Sequence, residues 1–583
     1  MSQVLKSTAR KSVVGAKKVI IRVPILRKLA IHAKAVLFPG MTSAHRETYH
    51  FYNYYPSIAE HMTQIKNSGT FKNRPLISLI LPTYNTPDEY LRECLDSVLL
   101  QSYDNWELCA ADDASPNGQV VKTLKEYAKK DPRIKLIVRK KNGHISEASN
   151  SAISLATGEF IGLLDHDDVL WPNALYEMVS VINANPEVDL IYTDEDKIDS
   201  SGTVHSYPFL KPDWSPEFLE SCNYITHFTC LRTSLVREIG GFHKGCEGAQ
   251  DWDLFVRITE KTSQVFHIPK ILYSWRIHEA STAANTDAKP YVYEAQLKLL
   301  RDHLSRTGRS GVIEKGIITQ HRTIKYDVAP VETLAVFVRH HDMASTKKLL
   351  RSAIKNEPGV GLEVFLTTAS PVDGTVQEEL QSVCADKTLR ILHTASTLDE
   401  WRAAVAQANS NYFFFIDGHS EIVSTNWAKT IIGDSQLPGV GLVGPVILDP
   451  SRQTILSAGI GIGFGENGYA DMLQGMPFDD PHYSRGLYAK SRRNVSALNA
   501  VAYAISKNAL IASIDKGGKL SNVYALSKSL NDHEYRHIYT PYVQITYDGI
   551  LLQIDSIKER QVAEDPYLNP NFNHDNQRME VKA

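Results

Sequence analysis

Two carboxylates, those of Asp165 and Asp167, directly follow an apolar run at residues 160–164. If that run is a buried strand, side chains two residues apart leave it in the same direction, so both carboxylates converge on one point. Carboxylate oxygens suit Mg²⁺ and Mn²⁺, ions that keep coordination positions for water and substrate phosphates. We therefore predict a divalent metal site here. The alternative is that these are solvated loop acids and that Asp168 caps the following helix.

A second acidic pair, Asp112 and Asp113, follows the predicted strand at residues 106–111. Such a pair either forms an Asx turn that caps a helix or accepts hydrogen bonds from a uridine- or thymidine-type nucleotide, and we favour the nucleotide. The sequence has no GxGxxG after its first predicted strand and no GxxxxGK[ST] motif. These absences disfavour a dinucleotide-binding Rossmann site and a P-loop. A nucleotide held by carboxylates, whose phosphates a metal neutralises, agrees better with the pattern.

These acids need a scaffold that brings strand ends together, and the residues from 75 onward predict one. Residues 76–81 form a run that is apolar except for Ser78, typical of a strand buried on both faces. Thr86, Pro87 and Glu89 then form the pattern of a capping box at the start of a helix. We predict further strands at 106–111, 134–139, 160–164 and 189–192, and helices at 119–130, 146–156 and 173–185. This alternation predicts an α/β fold with a parallel, doubly wound sheet, in which ligands bind beyond the carboxyl ends of the strands.

Length and composition limit the classes of protein to which the chain can belong. Its 583 residues, of which 43% are hydrophobic and 22% charged, are typical of a globular chain with two or three cores. The net charge of −3 provides no chain-wide basic field, so we expect no nucleic acid as a partner. No run approaches ~18 apolar residues, which argues against a membrane-spanning helix. Six cysteines show neither CxxC pairs nor zinc-type spacing, as in a reduced, cytoplasmic protein.

Residues 1–40 differ in charge from the rest of the chain. They contain nine lysines and arginines and no acidic residue, with Val, Ile and Leu interleaved. A cationic, apolar-rich segment suits an anionic membrane surface, whereas the alternatives are a solvated basic tail and an organelle transit peptide. We therefore treat residues 1–74 as a basic N-terminal segment that makes peripheral contact with the inner face of the cell membrane.

Several motifs carry a resemblance to a known family. They are PTYN at residues 82–85, ADDAS at 111–115, DHDD at 165–168, and GGF with GAQDWDL at 240–254. Together they resemble the family 2 glycosyltransferases of the GT-A fold. Other stretches are similar to a bacterial surface-polysaccharide subgroup: YTDEDKID at 192–199, FLKPDWSPEFL at 209–219, NYITH at 223–227 and YSWRIHEAST at 273–282. The resemblance covers about residues 75–310 and implies a catalytic GT-A domain at residues 75–325.

The resemblance also implies partners and site residues. The partners are a nucleotide-diphosphate sugar donor, a divalent metal (Mg²⁺ or Mn²⁺) and a lipid-linked or polymeric glycan acceptor, with inversion at the anomeric carbon. Asp165 and Asp167 match the acids that hold metal and donor, and Asp167 is the expected direct ligand. The donor-binding set is Thr83, Tyr84, Asn85, Asp112, Asp113, Asp165, Asp194 and Asp196.

Three of the implied assignments have a structural alternative. The family's general base is the Asp of a Glu-Asp pair, and here the pair is Gln250-Asp251, so Asp251 is the expected base. The alternative is an acid that the helix dipole favours in a first turn. His278 is expected to complete the metal shell or to bind diphosphate, unless it is structural. Asp194 and Asp196 follow a predicted strand, where acids serve equally well as solubilising loop residues.

The second half of the chain, residues 330–583, contains an internal echo of the first. Residues 334–341 parallel 77–84, residues 364–370 parallel 109–115, and residues 412–420 parallel 160–168. Strand ends that match at nearly constant offsets predict a second, GT-A-like α/β domain.

The acids on which the chemistry depends are mostly absent from this second copy. Thr367 and Thr368 stand where the first copy has its acidic pair, and no acid opens a helix near residues 522–531. We therefore expect a degenerate domain that serves as a structural platform or binds glycan. Asp417 with His419 retains enough of the metal pair to hold an ion.

These predictions lead to two functions of different classes. The first is a metal-dependent, inverting glycosyltransferase that builds a bacterial surface glycan (O-antigen, capsule or exopolysaccharide) from the cytoplasmic side. The second is a non-catalytic sugar-nucleotide or glycan-binding module, if Gln250 marks decay of the first copy as well. We favour the enzyme because Asp165, Asp167, Asp251 and His278 are all present.

Overall fold

The computed structural model describes residues 53–278, 290–384, 387–462, 469–471, 473–481, 483–515, 520–551 and 565–572. The basic segment at residues 1–40 lies outside the described residues. The described residues form two compact units: the first contains those within 53–211 and 225–295, and the second contains those within 212–224 and 296–572. Within the described ranges, no helix combines the length and the apolar character needed to cross a bilayer.

The first half of the chain alternates strands and helices. In chain order these are α1 (Ile58–Ser68), β1 (Ile77–Thr83), α2 (Asp88–Leu99), β2 (Trp106–Asp112), α3 (Gln119–Lys130), β3 (Ile134–Val138), α4 (His144–Ile153), β4 (Phe160–Leu163), β5 (Val169–Leu170), α5 (Ala174–Ala184), β6 (Leu190–Ile198), β7 (His205–Phe209), α6 (Pro216–Ser221), β8 (Thr229–Arg232), α7 (Thr233–Glu238), α8 (Gln250–Thr259), β9 (Val265–Arg276) and α9 (Pro290–Arg306). The predicted α/β alternation is confirmed, and most boundaries differ from the prediction by one to three residues.

One sheet forms the centre of the first unit, with strand order β3-β2-β1-β4-β8-β6-β9-β5 and with β7 beside β6. Strands β1 to β4 are parallel neighbours, whereas β8 runs antiparallel to both β4 and β6. Every residue of β1 and β2 is buried, as expected for predominantly apolar strands covered on both faces. In this register Thr83 lies opposite Asp112, so the polar residues after these two strands meet at one edge.

Two local predictions for the first unit are wrong. Helix α2 begins at Asp88 with Pro87 at the N-cap position and no side-chain cap, so Thr86 does not form the predicted capping box. A proline there fixes the entry of the chain but offers no oxygen to the helix N–H groups. Strand β6 does not end near residue 192 but continues to Ile198, which places the acidic run at 194–196 inside the sheet.

The second half repeats the alternation. Its elements are β10 (Gly311–Lys315), β11 (Arg322–Tyr326), β12 (Thr333–Arg339), α10 (Met343–Lys355), β13 (Gly361–Thr368), α11 (Gly374–Val383), β14 (Leu389–His393), α12 (Thr397–Gln407), β15 (Tyr412–Asp417), β16 (Ser420–Ile422), α13 (Trp427–Ser435), β17 (Val440–Leu448), β18 (Ile455–Ser457), β19 (Ile460–Ile462), β20 (Tyr469–Asp471), α14 (Tyr483–Lys490), β21 (Arg493–Val495), β22 (Ala502–Ser506), α15 (Lys507–Asp515), α16 (Val523–Asn531) and β23 (Arg536–Tyr547).

The main sheet of the second unit has the order β14-β13-β12-β15-β22-β17-β23-β16, with β18 beside β17. Each strand of this order corresponds to one in the order of the first sheet, from β14 with β3 to β16 with β5. Strand β21, which pairs with β23, has no counterpart among the described strands of the first sheet. The directions also agree: β12, β13, β14 and β15 are parallel neighbours, and β22 runs antiparallel to β15 and β17. The predicted second α/β domain of the same type is therefore confirmed.

The boundary of the second unit differs from the prediction. The unit begins at residue 296 rather than 330, and it includes residues 212–224, which carry α6. Two buried glutamates of α6 explain this: Glu217 pairs with Arg536 at 2.6 Å, and Glu220 pairs with Arg492 at 2.6 Å. Buried carboxylates need such partners, and these come from more than 250 residues further along the chain.

Candidate active site

A cleft lies where β1 and β4 end and α8 begins. It has a volume of about 440 Å³, part of which is open to solvent, and its polar lining includes Asp165, Thr226, His227, Gln250 and Asp251. Most of the remaining lining is apolar, with Pro82 at the end of β1 among it. The structure thus brings the predicted metal acid and the predicted base into one cleft, although 86 residues separate them in sequence.

His227 stands between two carboxylates. Its Nε2 lies 3.4 Å from Oδ2 of Asp165, and its Nδ1 lies 3.5 Å from Oε2 of Glu195. Its ring stacks on Tyr273, with the ring centroids 4.8 Å apart. Burial lowers the pKa of His227, but the two carboxylates outweigh burial and raise that pKa well above its usual value. Burial conversely raises the pKa of Asp165, and His227 lowers it by more.

Glu195 fixes the loop that carries His227. Its Oε2 accepts hydrogen bonds from the Thr226 hydroxyl at 2.6 Å, from the backbone N–H of His227 at 3.0 Å and from Nζ of Lys211 at 3.0 Å. The buried Lys211 ammonium also donates to the carbonyls of Ile225 and His227, both at 2.7 Å. Burial raises the pKa of Glu195, but Lys211 and His227 lower it by more, so the carboxylate is ionised and the loop is held by charge-assisted bonds.

Asp167 and His278 form a second pair at this edge. Nε2 of His278 lies 2.8 Å from Oδ2 of Asp167, and the histidine ring packs against Tyr90 with the centroids 5.3 Å apart. The buried Arg276 donates from Nε to the Asp167 carbonyl at 2.7 Å, which fixes the backbone of the acidic run. The structure therefore places the imidazole and the carboxylate side by side, as two ligands of one metal ion need to be.

Asp168 has a role that the sequence did not indicate. It is buried, accepts a hydrogen bond from the Tyr273 hydroxyl at 2.6 Å and another from the backbone N–H of Arg276 at 2.7 Å. The predicted alternative, a helix cap, is wrong because Asn173 occupies the N-cap position of α5. Burial and the neighbouring carboxylates raise the pKa of Asp168 well above its usual value.

Two sets of side chains at this edge have the chemistry of metal ligands. The oxygens of Asp165 and Asp168 and a ring nitrogen of His227 lie within 4.8 Å of one another. Asp167 and His278 form the other set. Of the predicted trio, Asp167 and His278 contact each other directly, whereas the histidine that contacts Asp165 is His227.

Asp251 lies in the first turn of α8 and is half-buried. Burial raises its pKa, and the charge of Asp165 raises it further, while His227 opposes the shift. A carboxylate whose pKa is raised towards neutrality is a better proton acceptor. Asp253, the other acid of this turn, is fully buried and paired with Arg257 at 2.7 Å. Of these two first-turn acids, Asp251 is the one that lines the cleft.

The pair Asp112 and Asp113 is buried and already partnered. Asp112 accepts hydrogen bonds from the backbone N–H and hydroxyl of Ser115, at 3.1 and 2.5 Å. Asp113 pairs with Nε of Arg139 at 2.8 Å and accepts from the backbone N–H of Gly143 at 3.0 Å. The predicted Asx turn that caps a helix is not formed: Asp112 accepts from the N–H three residues on rather than two, and α3 begins only at Gln119.

The three residues after β1 differ in exposure. Thr83 is buried and donates from its hydroxyl to the Ala111 carbonyl at 3.3 Å, so it links β1 to β2. Tyr84 is 48% exposed. Asn85 has a left-handed backbone, with φ of 50°, and donates its N–H to the Ser115 hydroxyl at 2.9 Å. Of the three, Tyr84 is the side chain accessible for stacking.

Comparisons with known proteins agree on one family. The sequence model of Glycosyl transferase family 2 matches residues 78–240. An uncharacterized glycosyltransferase of Rickettsia typhi is 31% identical over 231 residues, which make up 38% of this chain and 70% of that protein. The chain belongs to glycosyltransferase family 2.

Two longer relatives extend the similarity beyond the matched family domain. An uncharacterized protein of Sinorhizobium fredii is 35% identical over 494 residues, covering 81% of this chain and 53% of that protein. The O-antigen biosynthesis protein RfbC of Myxococcus xanthus is 32% identical over 395 residues, covering 67% of this chain and 31% of that protein. The chain thus spans about half the length of the first relative and about a third of the second.

Two acids predicted as donor contacts of the family 2 domain are buried within its sheet. Asp194 accepts hydrogen bonds from the backbone N–H of Lys211 at 2.8 Å and from Nε2 of His267 at 2.9 Å. Asp196 accepts from the Ser274 hydroxyl at 2.5 Å and faces Nδ1 of His205 at 2.5 Å. Both side chains are fully buried. We correct their assignment to the support of β6, because neither presents its carboxylate to the cleft.

The residues that sequence reasoning missed belong to the same strand and to its neighbours. Glu195, Lys211 and His227 form the network behind the cleft, and each lies in a stretch that carried the family resemblance. Within that resemblance, the lysine in an otherwise apolar FLK run was the available signal. A lysine there is buried at the cost of desolvation, so it needs an acidic partner.

Proposed function

We propose that the first unit transfers a sugar from a nucleotide-diphosphate donor to a hydroxyl of a growing bacterial surface glycan, with inversion at the anomeric carbon. The observation that carries this proposal is the cleft itself, which Asp165 and Asp251 both line and in which His227 contacts Asp165. The O-antigen name of the Myxococcus relative supports the glycan class. The acceptor is a lipid-linked or polymeric glycan, either O-antigen, capsule or exopolysaccharide.

Asp251 acts as the general base in this proposal. It accepts the proton of the acceptor hydroxyl while that oxygen forms a bond to the anomeric carbon. The bond between the anomeric carbon and the phosphate oxygen breaks, and its electron pair leaves with the nucleoside diphosphate. The raised pKa of Asp251 suits the carboxylate to hold that proton.

The metal-ligating side chains of the site suit a divalent cation. Asp167 and His278 offer an oxygen and a nitrogen 2.8 Å apart, and Asp165 adds a further carboxylate at the same edge. Mg²⁺ or Mn²⁺, bound there, would neutralise the charge of the donor diphosphate. Glu195 and Lys211 position the His227 loop, while Arg276 and Asp168 hold the backbone between the two acids.

Gln250 does not indicate decay of the first unit. Its side-chain oxygen accepts a hydrogen bond from the backbone N–H of Gly248 at 2.7 Å, which a glutamate oxygen would accept equally well. The residue therefore retains the loop contact that a Glu-Asp pair would make. This removes the main reason for the alternative, a non-catalytic sugar-nucleotide or glycan-binding module.

Activity assays with a panel of UDP-, GDP- and dTDP-sugars distinguish the transferase from the non-catalytic binding module. With a lipid-linked or polymeric glycan acceptor, we expect one donor class to release nucleoside diphosphate in proportion to glycan formed. EDTA should stop the release and excess Mg²⁺ or Mn²⁺ should restore it. Tight binding of a nucleotide sugar by calorimetry, with no release under any condition, would favour the binding module.

We also propose that residues 1–40 bring the protein to the inner face of the cell membrane. Their nine cations and absence of acids favour anionic lipid at about 1 kcal/mol per cation. Deletion of residues 1–40 should release the protein from anionic vesicles in a flotation assay, and high salt should weaken binding of the full chain. Transfer to a soluble acceptor should be unchanged. Equal flotation of both proteins would refute the membrane role.

A further inference from the structure

The second unit carries a group of metal-ligating side chains at the edge where the first unit has its acidic run. Strands β12 and β15 are parallel neighbours, and Arg339 of β12 lies opposite Asp417 of β15. In the first unit the same register, extended by two residues beyond Ile80 and Leu163, places Pro82 opposite Asp165. Asp417 therefore occupies the place of Asp165 in the sheet.

Two histidines join Asp417 there, and we name these three residues the His-Asp-His cluster (His341, Asp417 and His419). Nε2 of His341 lies 2.9 Å from Oδ2 of Asp417, and Nδ1 of His419 lies 3.3 Å from Oδ1 of the same carboxylate. The imidazole rings stack with centroids 4.6 Å apart. One ligand atom from each residue lies within 4.8 Å of the others.

Neighbouring residues hold this arrangement in place. Asp342 caps α10 by accepting the N–H of Ser345 at 2.9 Å, and its other oxygen lies 3.3 Å from Nε2 of His419. A carboxylate behind a histidine is the usual way of orienting an imidazole towards a metal. Gly418 is required between the ligands, because a Cβ there would stand 2.5 Å from the Arg339 carbonyl oxygen.

We propose that the His-Asp-His cluster binds a late first-row divalent cation such as Zn²⁺, through Nε2 of His341, the Asp417 carboxylate and Nδ1 of His419. Two imidazole nitrogens and one carboxylate suit Zn²⁺, Co²⁺ or Ni²⁺ better than Mg²⁺ or Ca²⁺, which prefer oxygen ligands. Three protein ligands leave an open coordination position. The side chains of His341 and His419 are 45% and 31% exposed, so an ion and a further ligand reach the cluster from solvent.

The surroundings also distinguish this site from the nucleotide edge of the first unit. Arg339 pairs with Thr367 where Pro82 pairs with Ala111, so Thr368 occupies the place of Asp112. Thr368 donates its hydroxyl to the Ser370 carbonyl at 2.8 Å, while Arg339 pairs with Glu400 at 3.1 Å. These groups are partnered within the second unit. The edge has lost its nucleotide acids but has gained two imidazoles, which is a change of ligand class.

Zinc binding by the full chain tests the proposal. The bound metal is counted by mass spectrometry after equilibration with Zn²⁺ alone under a competing chelator. We expect Asp417→Ala to lose one equivalent of zinc relative to the wild-type chain, and Asp342→Asn to weaken that equivalent about 10- to 100-fold, the usual effect of removing an orienting carboxylate. His393→Ala is the matched control, since His393 is exposed at the end of β14, two strands from β12.

A measurement on the wild-type chain keeps the test independent of variant folding. Diethyl pyrocarbonate modifies free imidazoles, and peptide mapping reports each histidine separately. Zn²⁺ should protect His341 and His419 at least tenfold, while His393 remains reactive. Equal zinc content in the wild type and in a folded Asp417→Ala chain, or unprotected His341 and His419 at saturating Zn²⁺, would overturn the proposal.

Discussion

The two units share one sheet topology but differ in the residues that follow the strands. In the first unit, β2 ends in Asp112 and Asp113 follows it, whereas Thr367 and Thr368 end β13 in the second. The first turn of α8 contains Asp251, and the first turn of α16 contains no acid. Strand order and direction nevertheless agree throughout the two main sheets. The apolar strands thus maintain the fold, while the residues after them change independently.

The starts of α8 and α16 differ in how their backbone N–H groups are capped. Helix α16 is capped by Asn522, whose side chain accepts from the N–H groups of Tyr524 and Ala525 at 3.1 and 3.0 Å. Helix α8 has Ala249 at its N-cap position and no side-chain cap. The helix that carries the proposed base therefore lacks a cap, and the helix without a base has one. The start of α8 thus has the acid that the proposed reaction uses, whereas the start of α16 has a side chain that stabilises its helix.

From the comparison of the two units, we expect the largest difference in transfer rate between a substitution at Asp167 and one at Asp417. Asp167→Ala should abolish transfer and metal-dependent donor binding, because it removes the carboxylate 2.8 Å from His278. Asp417→Ala, in the second unit, should change the transfer rate by less than about threefold, since Thr367 and Thr368 leave no nucleotide acids beside it.

Initial rates of nucleoside diphosphate release, with donor binding by calorimetry, measure both variants. The asymmetry between the units would be refuted by a product with two linkages, one lost with each substitution. Donor affinity that neither EDTA nor Asp167→Ala changes would refute the metal assignment.

The next effect concerns the proposed base. Asp251→Asn is nearly isosteric and should reduce the transfer rate by roughly 10²–10⁴-fold, the usual contribution of a general base. Donor binding should persist, because the proposed donor contacts lie at the ends of β1, β2 and β4 rather than on α8. Single-turnover rates and donor titrations give the two quantities separately. If activity survives and donor binding fails, Asp251 is a binding residue.

The sequence predicted the residues at the strand ends better than the buried side chains that hold these residues in place. Runs such as residues 76–81 are apolar except for one serine, so the strand and the polar residues after it follow from local pattern. The acidic run at 194–196 contradicts that pattern, and its burial depends on Lys211, His267 and His205, which supply partners from other segments of the chain. Pairing over such distances leaves no periodic signal, so the prediction of exposed loop acids was wrong.

The same reason explains the misplaced domain boundary. The resemblance to a family 2 domain extends through residues 209–219 without interruption, but α6 within that range belongs to the second unit. Its Glu217 and Glu220 find their arginines at 536 and 492. The local sequence pattern indicates a helix with two acids, but it does not indicate which unit contains the partners of those acids.

A smaller effect is expected at Asp471, a buried carboxyl of the second unit. Burial raises its pKa from 3.8 to about 7, although the Ser457 hydroxyl and the Asn499 amide lower it. Because the folded state then binds the proton more tightly than the unfolded state, the unit loses stability as the pH rises from about 4 to about 7. Asp471→Asn removes this loss and should stabilise the second unit by roughly 2–4 kcal/mol at pH 8.

Thermal melts of both proteins at pH 4 and pH 8 check this prediction. The difference in melting temperature should be near zero at pH 4 and should reach its full size by pH 8. A variant that is less stable than the wild type at pH 8 would show that the ionised carboxylate supports the fold. Asp251 has a pKa shifted in the same direction by burial, but it faces a cleft, so its substitution should affect rate rather than stability.

The smallest effect tests the cap that replaces an acid. Asn522→Ala leaves the N–H groups of Tyr524 and Ala525 without their side-chain acceptor and should destabilise the second unit by about 1 kcal/mol. For a unit of this size, that loss lowers the melting temperature by roughly 2–4 °C. The transfer rate at 25 °C should not change, because α16 carries no group that takes a proton from an acceptor. Differential scanning calorimetry and the release assay, run on the same samples, give both results. A rate reduced as strongly as by Asp251→Asn, with an unchanged melting temperature, would assign catalysis to the start of α16 and reverse the distinction between the two units.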